Sequence, residues 1–216
     1  MALYIIVALW PLFVEAMYNL YKHRSKSTLL SKKLHILLAL IPMFVLIALR
    51  SESIGADTYD YLKYFKLSIN MTIPEMLDRF RLEEGYIVFI NFISTFITKS
   101  PLVFQVIYTS IYLVCIWDFC CQMEDNDSFL FAFFYATLGL YMFMFTGVRQ
   151  CIAMCLCLIS YRFVRKKQII PFLLIIALAF TFHRTSFLFA IVYFISGRKL
   201  SMPMFCLYGA GAIFNF

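Results

Sequence analysis

Long apolar runs, separated by short polar turns, dominate this sequence. Nine such runs cover residues 2–21, 34–49, 86–98, 101–121, 128–145, 148–164, 168–182, 185–196 and 200–216. A helix needs roughly 20 apolar residues to cross the hydrocarbon of a bilayer. The pattern therefore predicts an all-α, polytopic membrane protein with a single transmembrane domain over residues 1–216. The first run lacks a basic leader and a small-residue cleavage site, which favours a membrane span over a removed signal peptide.

The amino-acid totals exclude most classes of soluble protein. The chain is 63% hydrophobic and 14% charged, whereas soluble domains are roughly 45–50% apolar and about 25% charged. Lys and Arg exceed Asp and Glu by 19 to 12. Most of these basic residues lie between apolar runs, so they indicate membrane topology and not nucleic-acid binding. The seven cysteines include no C-x-x-C pair, and we expect neither disulfides nor a zinc site.

Clusters of Lys and Arg predict the orientation of the spans. Residues 22–33 carry five basic residues and no acid, and residues 162–167 carry four, so both turns are expected in the cytoplasm. An odd number of crossings must then separate the outer loop 50–85 from 162–167, yet four apolar runs lie between them. The shortest run, 86–98, is interrupted by polar residues and is expected to be re-entrant or interfacial. Eight full spans remain, with one broken, tilted span over 128–164 as the alternative solution.

Three arginines fall at the outer ends of predicted spans. Arg50, Arg149 and Arg184 share this extracytoplasmic face with His183 and the carboxylates of loop 50–85. Ionisable groups near membrane depth usually face a cavity or a partner, although an arginine at the end of a span also reaches lipid phosphates. A His beside an Arg is suited to bind phosphate. The alternative for His183 is a hydrogen bond to a backbone carbonyl.

Local patterns predict two short helices within the outer loop. Gly55 suits a tight turn, and Asp57 is placed to cap a helix over Thr58–Phe65. The stretch "IPEMLDRFRLEEG" predicts a helix along the membrane surface that starts at Pro74 and ends at Gly85.

Common catalytic motifs are absent. The sequence contains no G-x-x-x-x-G-K-[ST], no H-E-x-x-H and no G-x-S-x-G, which argues against phosphate-loop, zinc-protease and serine-hydrolase chemistry. The acidic "EDND" lies on the cytoplasmic side of the predicted topology, so it is not expected to hold a metal on an outer-face nucleotide sugar. The outer cluster of arginines, carboxylates, tyrosines and a His suits a lipid-anchored, phosphate-bearing substrate, without a metal or other cofactor.

Four pieces of the sequence resemble, in their order, the EpsG family of Wzy-like polymerases of exopolysaccharide, capsule and O-antigen. "RSESIGADTYDY" is similar to the R-x(4)-G-x-D-x(3)-Y element of that family, and "RLEEGYIVFINFIS" to its E-x-G-Y segment. "GVRQCIAM" is similar to its R-Q-x-I-A stretch, and "FHRTS" to its H-x-[ST] segment after a basic turn and an apolar helix. The resemblance covers residues 45–195.

The resemblance implies a polymerase of the bacterial cytoplasmic membrane whose active face is extracytoplasmic. Such an enzyme joins oligosaccharide repeats that are carried on undecaprenyl pyrophosphate. The acceptor hydroxyl attacks the anomeric carbon of the donor, and the lipid pyrophosphate leaves. The implied partners are this lipid-linked oligosaccharide and the bilayer, with a chain-length-regulating co-polymerase left open and no nucleic acid.

The resemblance also implies roles for nine residues. Those expected to hold pyrophosphate are Arg149, Arg50, Arg184 and Gln150. Those expected to act as the base or to position the hydroxyl are His183, Asp57 and Glu83, among which the sequence does not choose. Those expected to support sugar rings are Tyr61 and Tyr86. The alternatives are a hydrogen bond across helices for Gln150 and membrane-interface anchoring for the two tyrosines.

Two other functions stay open on the sequence. A non-catalytic transporter or flippase-like protein would bind the same lipid-linked sugar, and an O-antigen ligase would transfer it to a different acceptor. Members of the EpsG family usually continue beyond the His segment with further spans. The end at "GAGAIFNF", inside an apolar run, therefore predicts a truncated chain.

Overall fold

The computed structural model of this chain describes residues 2–24, 29–123, 125–137 and 140–196. These residues form only helices and connecting turns, which confirms the all-α prediction for the described part, while the predicted run 200–216 lies outside it. The elements in chain order are α1 (Ala2–Arg24), α2 (Leu29–Ala48), α3 (Thr58–Ser68), α4 (Ile73–Arg79), α5 (Glu84–Phe96), α6 (Pro101–Cys121), α7 (Asp125–Thr137), α8 (Leu140–Phe143), α9 (Val148–Arg165), α10 (Ile169–Phe182), a 3₁₀ helix (Arg184–Ala190) and α11 (Ile191–Ile195).

Three of the described helices are long and apolar enough to cross a membrane, judged by length and composition. They contain the segments Tyr4–Lys22, Ser31–Ala48 and Pro101–Cys121. Large apolar side chains cover their outward faces, and those exposed on α1 include Ile5, Leu9, Phe13, Met17 and Leu20. This spacing of three or four residues places them in one stripe along the helix. Such extensive apolar surface is typical of contact with lipid and not with water, so the chain is a membrane protein.

Contacts between helix ends show how the helices alternate in direction. We name the two ends of the bundle after two arginines of α9, the Arg149 end and the Arg162 end. At the Arg162 end, Arg162 pairs with Asp118, near the end of α6, at 2.6 Å. The hydroxyl of Ser128, near the start of α7, donates to the carbonyl of Cys120 at 2.8 Å. The end of α6, the start of α7 and the end of α9 therefore lie together.

The opposite ends of these helices meet at the Arg149 end. Gln105, near the start of α6, donates to the carbonyl of Ala48 at the end of α2, at 3.0 Å. Tyr141 of α8 donates to the carbonyl of Met43 in α2 at 3.2 Å. Because α7 starts at one end and α8 lies at the other, α6, α7 and α9 traverse the bundle in alternate directions. A single span over 128–164 does not describe these contacts, since residues near both its limits lie at the Arg162 end.

Helix α5 does not run the length of the bundle, as the sequence predicts for 86–98. Gly85 packs against Thr181, near the end of α10. Four residues separate Phe96, at the end of α5, from Pro101, at the start of α6. That connection reaches at most about 18 Å, whereas α6, with 21 residues, is roughly 31 Å long. Helix α5 therefore ends short of the Arg162 end.

The helix predicted from Pro74 to Gly85 is wrong in its extent. The observed α4 covers Ile73–Arg79, and Phe80 has extended backbone angles of φ −100° and ψ 124°. The ring of Phe80 is buried, with its centroid 4.9 Å from that of Tyr64 on α3. Burial of this ring, which the local sequence does not show, ends the helix and turns the chain towards α5.

Two further predictions have mixed outcomes. The helix predicted over Thr58–Phe65 is confirmed as α3, which continues to Ser68. Asp57 occupies its N-cap position but forms no side-chain capping hydrogen bond, so the capping role expected for Asp57 is wrong. Within the run 128–145, predicted as one span, the described residues are helical in α7 up to Thr137 and in α8, and residues 138–139 lie outside the described part.

Candidate active site

Arg149 lies at the start of α9 and connects three parts of the chain. Its Nη1 donates to Glu83, in the turn before α5, as a salt bridge. Its Nε donates to the hydroxyl of Tyr61 on α3 at 3.2 Å. The guanidinium carbon also lies 5.8 Å from the centroid of that tyrosine ring. Among the described residues Nη2 has no hydrogen-bond partner, so the planar fork keeps donors for a ligand.

Glu83 joins Arg149 to His183. One carboxylate oxygen of Glu83 accepts from Arg149, and the other lies 3.4 Å from Nδ1 of His183, the residue between α10 and the 3₁₀ helix. All three side chains are partly buried, with exposed fractions of 24% for Arg149, 13% for Glu83 and 24% for His183. A carboxylate beside Nδ1 favours the tautomer with its proton on that atom and leaves Nε2 as an acceptor.

The pKa of His183 is lowered from its usual value. The main cause is burial, and the positive charge of Arg149 adds to it. Both effects disfavour the imidazolium form. The neutral imidazole that these two effects favour is the form that accepts a proton.

Close packing between α5 and α10 holds Glu83 and His183 together. A Cβ at Gly85 would lie 2.2 Å from Oγ1 of Thr181 and 2.8 Å from its carbonyl oxygen, so only glycine allows this approach. The rings of Phe89 and Phe182 meet edge to face at 6.0 Å between centroids. Gly85 of the E-x-G-Y segment thus has a packing role, and Glu83 of the same segment has the position of a site residue.

A polar pocket of about 400 Å³ opens beside this group, with Leu77, Phe80, Arg81, Leu82, Glu83, Glu84, Arg149 and Arg184 in its wall. The wall holds three arginines and two glutamates, and one of the glutamates is already paired with Arg149. An anion with several oxygens, such as a phosphate ester, matches this surplus of donors. The described residues contain no group of three His, Cys, Asp or Glu residues placed to hold a metal ion.

Arg50 differs from Arg149 in its surroundings. It is 6% exposed and forms hydrogen bonds to the hydroxyl of Thr58, the hydroxyl of Tyr108 and the carbonyl of Ile47. It is absent from the wall of the polar pocket. These contacts commit the donors of Arg50 within the protein, so they do not favour the pyrophosphate-binding role expected for it, which stays a prediction.

The segment around Arg50 fastens the outer loop to the turn before α9. Thr58 donates its hydroxyl proton to the carbonyl of Phe145 at 2.9 Å. Gly55 has a φ of +96°, and a Cβ there would lie 2.0 Å from the same carbonyl oxygen. Both the backbone angle and the lack of space therefore exclude a side chain at this position. The R-x(4)-G element therefore supports the turn that presents Arg149.

The remaining predicted residues fall in different places. Tyr61 is 6% exposed and Tyr86 is 0% exposed, and their rings meet at 5.5 Å. Tyr61 accepts a hydrogen bond from Arg149, and Tyr86 packs against the ring of Tyr61. Burial of both rings does not favour the sugar-binding role expected for them, which stays a prediction. Asp57 has no hydrogen bond to the Arg149–Glu83–His183 group. Gln150 lines a second, apolar pocket together with His183.

Sequence reasoning missed residues whose partners lie far along the chain. Gln105, 2% exposed, donates to the carbonyls of Ile47, Ala48 and Arg50, and so satisfies the open end of α2. The only signal was an amide in an apolar run, where such groups usually bond across helices. Arg81, which lines the polar pocket, is one of many charged residues in the loop 50–85, and no local pattern distinguishes it from the others.

The comparisons with known proteins give one match. A model of the EpsG family matches residues 33–216. No curated protein and no solved structure matches the chain.

Proposed function

The chain belongs to the EpsG family, which is associated with polysaccharide biosynthesis at membranes, and on that premise we propose that it is a glycosyl polymerase. Its substrate would be an oligosaccharide repeat carried on a polyprenyl pyrophosphate such as undecaprenyl pyrophosphate. The single observation that carries this proposal is the Arg149–Glu83–His183 group, a base held beside an arginine at the edge of a polar pocket. The same group suits proton transfer and anion binding at one point.

In this proposal His183 is the base, and the other two candidates from the sequence, Glu83 and Asp57, are not. Glu83 is already paired with Arg149, so its negative charge is stabilised and its tendency to take a proton is weakened. Asp57 has no bond to the group. The lowered pKa of His183 keeps the imidazole neutral, and Glu83 orients it through Nδ1.

The proposed step exchanges one bond for another at the anomeric carbon. The acceptor hydroxyl oxygen forms a bond to that carbon while the bond from the carbon to the pyrophosphate oxygen breaks. The hydroxyl proton passes to Nε2 of His183, and the electron pair of the broken bond leaves with the lipid pyrophosphate. No oxidant, metal or nucleotide is required.

The arginines of the polar pocket stabilise the leaving group. Charge develops on the pyrophosphate oxygen as the bond breaks, and donors already aimed at that oxygen lower the barrier. Arg149 has Nη2 available, and Arg184 and Arg81 line the same pocket. Because Glu83 holds Arg149 in place, the guanidinium needs no rearrangement during the step.

We propose the following membrane layout. The Arg149 end faces the extracytoplasmic side and the Arg162 end the cytoplasm of a bacterial cell, with eight full spans and α5 as the helix that does not cross. The alternating directions of α6, α7 and α9 support it, as does the basic turn after Arg162. Accessibility labels at residues 70 and 166 should react from opposite sides of the membrane. Reaction from the same side would contradict the layout.

The proposed reaction is tested with purified protein in nanodiscs and a polyprenyl-pyrophosphate-linked repeat unit. The expected result is a ladder of glycans with release of polyprenyl pyrophosphate. The change His183→Gln should abolish the ladder, while His35→Gln, on α2 near the Arg162 end, should leave it unchanged. A single transferred unit would indicate a ligase. Binding without any covalent change, by wild-type protein that is folded, would indicate a transporter and contradict the proposal.

A further inference from the structure

The second pocket described above is an apolar chamber with His183 in its wall. It has a volume of about 410 Å³ and lies between α6, α7, α9 and the 3₁₀ helix. Its apolar wall includes Ile116, Phe131, Ala153, Met154, Cys157 and Phe189. Polar side chains in the wall include Gln150 and Ser186. A chamber of this size, lined by apolar groups with a few polar ones, is typical of a site for a small organic group.

An unsatisfied hydroxyl lies in the wall of the chamber. The Oγ atom of Ser186 is buried and has no hydrogen-bond partner. A buried polar group without a partner costs free energy that a bound ligand can recover. Ser186 is three residues from His183, the residue that contacts Glu83 in the polar pocket. A ligand with a polar atom near this junction would give the hydroxyl the partner that it lacks within the described part of the chain.

The chamber and the polar pocket lie on either side of one contact between two side chains. His183 lines the chamber, Glu83 lines the polar pocket, and the two side chains lie 3.4 Å apart. A ligand that occupies both must be apolar in one part and anionic in the other. The arginines of the polar pocket suit its anionic part, and the wall of the chamber excludes charge.

We propose that this chamber holds the hydrocarbon chain of the lipid pyrophosphate next to its phosphate group. The inference rests on the proposed function and assigns residues to the lipid part of its substrate. At roughly 30 Å³ for each non-hydrogen atom, 410 Å³ holds on the order of a dozen carbon atoms. Only the part of a long polyprenyl chain nearest the phosphate fits, and the rest continues into the bilayer.

Photolabelling tests this assignment without depending on polymer formation. The probe is a polyprenyl pyrophosphate with a photoreactive group in its first isoprene units, added to the full chain in nanodiscs. The expected result is labelling of α9 between Ala153 and Leu158. The change Met154→Trp should lower this labelling about tenfold, the loss expected when two buried CH₂ groups are displaced. Met17→Trp, on the exposed face of α1, should leave it unchanged.

A second variant tests the hydroxyl. Ser186→Ala removes an unsatisfied group, so it should not lower the thermal midpoint of the ligand-free protein. It should weaken binding of the pyrophosphate probe roughly three- to tenfold if the hydroxyl donates to the ligand. Unchanged affinity would contradict the placement of the polar part near Ser186.

A parallel reaction with photoreactive phosphatidylglycerol separates the two sources of hydrocarbon. Equal labelling of the chamber by both probes would overturn the assignment to a polyprenyl chain. Labelling confined to lipid-facing α10, or a chamber occupied by residues 197–216 of the chain itself, would overturn the chamber as a ligand site. A labelled chamber without polymer would support this inference and contradict the proposed polymerase. A ladder of polymer without labelling of the chamber would support the polymerase and contradict this inference.

Discussion

Replacement of Arg149 by lysine should reduce activity far more than stability. Lysine keeps the charge opposite Glu83 but replaces a planar fork by a single ammonium group. Arg149 uses Nη1 for Glu83 and Nε for Tyr61, and it lines the polar pocket with Nη2 still without a partner among the described residues. An ammonium group that pairs with Glu83 has no second, fixed donor for the leaving pyrophosphate.

The expected sizes of the two effects differ clearly. Loss of one preorganised donor to a developing oxyanion costs about 10²- to 10³-fold in kcat. Loss of the hydrogen bond to the Tyr61 hydroxyl costs roughly 1–2 kcal/mol of folding free energy, which lowers the thermal midpoint by about 2–8 °C. Most Arg149→Lys protein should therefore remain folded in the membrane, with little polymer formed.

The chain supplies a matched control on the same helix. Arg162 pairs with Asp118 at 2.6 Å, at the opposite end of α9. Arg162→Lys makes the same chemical change in a salt bridge to a carboxylate, but far from the pocket. The assay is the initial rate of polymer formation per folded protein in nanodiscs. Equal rates for the two variants, or a loss for Arg149→Lys that only follows its abundance, would refute the role given to Arg149.

Three further predictions test His183 as the base, Gln105 as the cap of α2, and the close approach of α5 to α10. The lowered pKa of His183 means that protonation removes the base only at lower pH, so the acidic limb of the pH–rate profile should fall below pH 6.5, the usual value. Gln105→Leu should lower the unfolding free energy by about 1–3 kcal/mol, since the buried carbonyls of Ala48 and Arg50 lose the donor that Gln105 supplies; thermal unfolding in detergent measures it. Gly85→Ala should displace α5 from α10 and reduce polymer formation more than membrane abundance.

Each of these predictions has its own contrary result. An acidic limb above pH 7 would exclude His183 as described. Gln122→Leu, an exposed glutamine whose side chain bonds to Asp118, should cost much less stability than Gln105→Leu, and equal costs would contradict the capping role of Gln105. Full activity of Gly85→Ala would show that the approach of α5 to Thr181 does not position the site.

The sequence predicts the parts of the site but not all of their connections. Apolar run length and loop charge predict the long apolar helices, the short α5 and the position of Arg149 at the start of α9. The salt bridge between Arg149 and Glu83 joins residues 66 positions apart. A single sequence carries no direct signal of such a pair, and the family resemblance only placed both residues among the candidates.

The contrast between Arg50 and Arg149 shows the limit most clearly. Both are arginines at the ends of apolar runs, and local pattern gives them the same role. The structure separates them because Arg50 finds Tyr108, 58 residues away, and Thr58 within the protein. Tertiary packing decides whether the donors of an arginine form hydrogen bonds within the protein or remain available to a ligand. The end of α4 at Arg79 has the same origin, since it follows from burial of Phe80 and not from any local breaker.

The central claim is that this chain polymerises lipid-linked repeats through the Arg149–Glu83–His183 group. The most direct measurement expresses the chain in a bacterial cell that makes the lipid-linked repeat but lacks its own polymerase, and separates the surface glycans on a gel. The account predicts a ladder with the wild-type chain and none with Arg149→Ala at the same membrane abundance. A ladder that persists in Arg149→Ala, or no ladder from wild-type protein that is present in the membrane, would contradict it.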